Sequence, residues 1–134
     1  MNSQPYPHCV YCAIVAGTIP CAKVYEDDQF LAFLDIHPAT KGHTLLIPKV
    51  HTRWVHDVEP FETYWSLARR IARSQDTHLS PTYIQYFTHG ALDHAHIHII
   101  PRYDDIDTAD PILIQPTHVE DSAVLNETAG KIKI

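Results

Sequence analysis

Three histidines stand on every second residue of the run LDHAHIHIIPRYD, positions 92–104. Successive side chains of an extended chain point to opposite faces, so His94, His96 and His98 share one face while Ala95, Ile97 and Ile99 take the other. β-branched and small apolar residues alternating with polar ones, followed by Pro101, read as a half-buried strand that ends at the proline. Same-face neighbours on such a strand stand about 6.5 to 7 Å apart, which lines three rings along an open surface. An ordinary solvated strand face carries threonine, lysine or glutamate. Imidazole titrates near neutrality and serves as base, acid, nucleophile or metal ligand, so the triple repeat points to chemistry.

What surrounds that strand is bounded by size and charge. A chain of 134 residues with 45% hydrophobic residues can build one core but not two. Its formal charge of −6 and its scattered Lys and Arg residues argue against a protein that grips nucleic acid through the backbone phosphates. No run approaches the apolar length of a membrane span, and the N-terminus lacks a basic-then-apolar signal pattern. The expected location is therefore the cytoplasm, without membrane or nucleic-acid partners.

Three cysteines, Cys9, Cys12 and Cys21, are an odd number and disfavour a disulfide framework. Cys9 and Cys12 in HCVYC have the spacing of one half of a thiolate metal site, although redox pairs and chance produce the same pattern. Zinc would need two further ligands, and histidines are available. Cys21 reads as a buried thiol.

Along the chain, CVYCAIVA (9–16) suggests a short helix closed by Gly17. AKVYED and FLAFLDI read as strands around the turn Asp27-Asp28-Gln29, HPATKG as a loop, and HTLLIP as a third strand stopped by Pro48. An amphipathic helix is expected over about 60–77, and PTYIQYF forms a fourth strand before the histidine strand. The expected architecture is α+β: an antiparallel sheet of about five strands packed against one main helix and a short N-terminal helix. This places one domain over 1–104. Residues 105–134 read as an irregular tail packed on or near it, with one short strand at 112–114.

The ordered blocks CVYC, VYEDDQFLAFLDIHPATKGHTLLIPKVH and HAHIHIIPR closely resemble the histidine-triad (HIT) superfamily of nucleotide hydrolases and transferases, over about Cys9 to Arg102. The resemblance implies a nucleotide hydrolase. The middle histidine, His96, would attack the α-phosphorus of a nucleoside phosphoramidate, dinucleoside polyphosphate or related conjugate and form a covalent nucleotidyl-histidine. It implies that His98 assists at the phosphoryl oxygens and leaving group, and that His43 holds the histidine cluster in register. Asp35 matches the ribose-binding acid, and Ile36, Phe33, Val10, Tyr11 and Ile14 match the positions that sandwich the base. It further implies a structural zinc on Cys9, Cys12, His51 and His94, with His8 a lower-ranked competing ligand, and a homodimer.

One departure stands out. Family members carry a longer phosphate loop of the form Asn-x-Gly, then Gly with Gln or Ser, where this chain has only FTHGALDHAH. Thr88, His89 or the Gly90 backbone would have to substitute. The alternative to an enzyme is therefore a nucleotide-binding or regulatory protein with little or no turnover.

Overall fold

A computed structural model describes residues 6–103 and 118–134. Its centre is a five-stranded antiparallel sheet in the order β1-β2-β3-β5-β4, with β1 Lys23–Glu26, β2 Phe30–Leu34, β3 Thr44–Pro48, β4 Tyr83–Phe87 and β5 Ile97–Arg102. The α+β expectation of about five strands holds. β2 and β3 are apolar at nearly every position and buried throughout, because both faces of the sheet are covered. On one face Phe30, Ala32, Leu34, Leu46, Ile97 and Ile99 meet helix α2, Phe61–Leu79. On the other, Leu31, Phe33, Leu45 and Ile47 meet helix α1, Val10–Ala16.

Helix α2 buries Tyr64, Leu67, Ala68, Ile71, Ala72 and Gln75, a stripe repeating every three or four residues. Tyr64 is the fully buried aromatic of its core face, and Trp65 packs partly buried against the same core. Helix α1 is closed by Gly17 in the left-handed region at φ +82°, a backbone that glycine adopts without a Cβ penalty. β5 starts at Ile97, so His94 and His96 lie in the segment leading into it rather than on the strand, and it extends through Pro101 to Arg102 instead of ending at the proline. Its pairing with β3 stops at Ile99 opposite Thr44, so along that edge Pro101 has no ladder partner to lack.

Two expectations need correction. The tail is not irregular throughout: Ser122–Ile132 form helix α3, capped by the Asp121 carboxylate, which accepts from the Ala123 N–H at 2.7 Å. Leu125, Ala129 and Ile132 enter the same core as α2, and the Ser74 hydroxyl donates to the Ile132 carbonyl at 2.7 Å. The strand expected at 112–114 lies outside the described residues. The histidine face is also not open: His94, His96 and His98 are all buried. Alternation assigns a side chain to a face but says nothing of what covers that face, and here α1 and the loops around His51 and His89 do so.

Because Ile132 is fully buried, Ile132→Ala should cost about 3 kcal/mol through the lost methylenes and the cavity left behind. Urea unfolding measures this; a loss below about 1 kcal/mol would mean that α3 does not share the core.

Candidate active site

The tautomer of each buried histidine follows from its partners, since a carbonyl can only accept and a backbone N–H only donate. His96 donates from Nδ1 to the His94 carbonyl at 2.9 Å, which leaves a lone pair on Nε2. His43, immediately before β3, accepts the Ala39 N–H on Nδ1 at 3.0 Å and so carries its proton on Nε2. That proton goes to His98 Nδ1 at 2.8 Å, so the proton of neutral His98 sits on Nε2. The chain Ala39–His43–His98 therefore sets the register of the third triad ring from the backbone outward. Asp35 Oδ2 lies 3.7 Å from His43 Nε2.

Burial keeps these rings neutral. His43 is pushed down to about 4, first by desolvation and then by the Arg102 guanidinium, and His98 falls by desolvation and by the neighbouring His43. Desolvation also lowers His96 and His94. In the unfolded chain a histidine takes up its proton near pH 6.5, so the unfolded state binds protons that native His43 and His98 refuse. Stability is then full above about pH 6.5 and is lost as pH falls toward about 4. The urea midpoint should drop between pH 7 and pH 4.5, with a shallower drop in His43→Gln. An equal slope in both proteins would contradict this.

A cavity of about 300 Å³ opens between α1 and β2, and Tyr11, whose ring lies 5.3 Å from that of His96, stands between it and the triad. Val10, Tyr11, Ile14, Phe33, Asp35 and Ile36, all named from the sequence, line it together. Ile19, Pro20, Cys21, His37 and Leu45 line it too and were not expected there. Thr18 to Pro20 turn the chain as their sequence suggests, with the Thr18 and Ile19 N–H groups donating to the Ala13 carbonyl, and this return brings Ile19, Pro20 and Cys21 to the cavity. Asp35 uses Oδ1 to accept the His37 N–H at 2.9 Å, and desolvation raises its pKa. Its carboxylate thus caps the turn and borders the cavity at once.

Cys9, Cys12, His51 and His94 converge, with one ligand atom from each within 4.8 Å of the others. Cys9 Sγ lies 3.3 Å from His94 Nδ1, and Cys12 Sγ lies 3.1 Å from His51 Nδ1 and 3.4 Å from His94 Nδ1. Ligand atoms around a tetrahedral zinc are about 3.3 to 3.8 Å apart, so the donor set suits that ion. His94 donates its Nε2 proton to the Pro48 carbonyl at 2.8 Å, which turns the Nδ1 lone pair toward the sulfurs. Asp93 stands 3.9 Å from His51 Nε2, and Tyr6 stacks on the His51 ring at 3.6 Å. His8 is exposed and outside this cluster. Residues from α1, from the loop after β3 and from the lead into β5 would thereby be tied at one point.

Thr88 turns its hydroxyl to the His96 carbonyl at 2.6 Å and so braces the triad backbone. His89 brings Nε2 to 3.4 Å from His96 Nε2.

A sequence model of the HIT domain matches residues 16–105. The chain belongs to the HIT family. It is 42% identical over 104 residues to Protein hit of Bacillus subtilis, covering 72% of each chain. It is 36% identical over 101 residues to the adenosine 5'-monophosphoramidase HNT1 of Saccharomyces cerevisiae, covering 72% of this chain and 64% of that one. A zinc-bound histidine triad family protein from Mycobacterium smegmatis superposes with a TM-score of 0.71 at 32% identity, over 93% of this chain and 95% of that one. The stretch matched by the HIT domain model takes in the whole five-stranded sheet and the three triad histidines, while Cys9 and Cys12 stand ahead of it.

Proposed function

We propose that this HIT protein is a nucleotide hydrolase that attacks the α-phosphorus of a nucleoside phosphoramidate, a dinucleoside polyphosphate or a related conjugate. The observation that carries the reading is the His96 tautomer: a buried ring whose own backbone fixes the lone pair on Nε2, packed on Tyr11, which also lines a cavity sized for a base. The Nε2 lone pair forms an N–P bond while the bond from phosphorus to the leaving group breaks. The leaving group takes the bonding pair and gains its proton through His98. Water then attacks the phosphorus, the P–N pair returns to His96, and the water's proton restores His98 as nucleoside monophosphate leaves. Asp35 would accept from the ribose hydroxyls, with Phe33, Ile36, Val10, Tyr11 and Ile14 around the base.

Zinc on Cys9, Cys12, His51 and His94 would fill four tetrahedral positions and leave none for substrate, so its contribution is structural. The reading also includes a homodimer in the cytoplasm; among the described residues no helix is long and apolar enough to cross a membrane.

A binding protein without turnover is the second reading, and His89 favours it: the Ala91 N–H donates to its Nδ1, so its proton sits on the Nε2 that faces the His96 lone pair at 3.4 Å. Incubation with adenosine 5'-phosphoramidate separates the two. Release of adenosine monophosphate supports hydrolysis, whereas bound, unchanged nucleotide across several leaving groups overturns it.

A further inference from the structure

The loop that should contact the phosphoryl group is short, yet it delivers a histidine to the nucleophile. His89 Nε2 lies 3.4 Å from His96 Nε2, and the rings meet edge to face at 4.7 Å and 85°. The Ala91 N–H donates to His89 Nδ1 at 3.1 Å, so the proton of neutral His89 must sit on Nε2, the nitrogen that faces His96. The loop itself is braced. Arg53 donates to the Gly90 carbonyl at 3.2 Å and lies over the Trp54 ring at 4.5 Å. Trp54 occupies the space beside Gly90 so closely that a β-carbon there would come within 2.3 Å of Cζ3.

One ring nitrogen from each of His89, His96 and His98 falls within 4.8 Å of the others, a trio that could hold a metal ion. The tautomers say otherwise. A tri-histidine metal site needs three lone pairs at its centre, whereas here the Nδ1 atoms of His89 and His98 both accept hydrogen bonds and their protons sit on Nε2. One lone pair accompanied by two N–H donors matches a phosphoryl group under attack. In-line displacement sends the leaving group to the side of phosphorus opposite His96. A donor only 3.4 Å from the attacking nitrogen therefore stands on the side of phosphorus that His96 approaches, within reach of a non-bridging oxygen once the phosphoryl group displaces it from the lone pair.

We infer that His89 replaces the missing polar side chain of the phosphate loop, its Nε2–H holding a non-bridging α-phosphoryl oxygen as His96 attacks. This rests on the hydrolase reading above and adds a specific contact to it. On substrate binding that N–H exchanges the His96 lone pair for the phosphoryl oxygen, which frees the nucleophile in the same movement.

The test uses the p-nitrophenyl ester of adenosine monophosphate and its two α-phosphorothioate diastereomers, in which sulfur replaces one non-bridging oxygen or the other. Wild type should prefer one diastereomer. His89→Ala should lower kcat/KM on the oxygen ester about 10²- to 10³-fold, the usual cost of one oxyanion donor, and bring the diastereomer ratio toward one. His89→Gln should recover part of both. Zinc content and thermal midpoint are measured in each variant to show that the fold is retained. A slower His89→Ala with an unchanged ratio would overturn the contact and leave hydrolysis standing. Wild type without turnover on any of these esters would overturn hydrolysis and the contact together. A second zinc equivalent bound by wild type and lost in His89→Ala would assign the trio to a metal and overturn it.

Discussion

Mixed with a slowly turned-over adenosine phosphoramidate, the wild-type protein should gain the mass of one adenylyl group, and His96→Ala should gain none. Turnover in the variant should fall on the order of 10⁴-fold or more, because removing the nucleophile removes the two-step path itself. His43 and His98 remain in the variant with their partners intact, so the comparison isolates the attacking nitrogen. Intact-mass spectrometry reads the adduct, and release of the monophosphate reads the rate. An adduct that persists in His96→Ala would move the nucleophile elsewhere, with His89 the next ring to replace.

The second large effect is expected at the cysteine–histidine cluster. Cys12 Sγ faces both His51 and His94, so Cys12→Ser removes the ligand that lies between the two rings. Zinc at such a site contributes directly to folding. Loss of about 3 kcal/mol and a fall of about 10 °C in Tm are expected, with zinc absent by native mass spectrometry. Chelation of the wild type should reproduce the shift and leave Cys12→Ser unmoved. Equal midpoints for wild type, chelated wild type and variant would remove the metal from the account.

Much of this was legible because the histidine repeat and the strand alternation act over two residues, the shortest range at which sequence determines geometry. Four of the five strands and helices α1 and α2 stand where periodicity and turn residues place them, while β5 starts only at Ile97, past His94 and His96, and runs on through Pro101. Helix α3 was missed because SAVLNETAGKI mixes the weak helix formers Asn, Thr and Gly among its apolar residues; its order comes from packing against α2 and β1, which local propensity cannot show. The Asp121 cap was its one local signal. The four-residue zinc set was reached through family likeness, since spacing by itself offered only Cys9 and Cys12. The protonation pattern was not legible at all. Nothing in HxHxH says which ring nitrogen meets a carbonyl and which meets an N–H, and those backbone partners distinguish a nucleophile from a donor.

Helix α1 has only seven residues, yet it presents Val10, Tyr11 and Ile14 to the cavity while Cys9 and Cys12 reach the cluster from its first turn. One side of the cavity is thus hung from the cysteine–histidine cluster. If zinc fills that cluster and a nucleotide base fills the cavity, as proposed above, an ion of different radius would tilt that wall against the base, and nucleotide choice and metal identity would be a single trait.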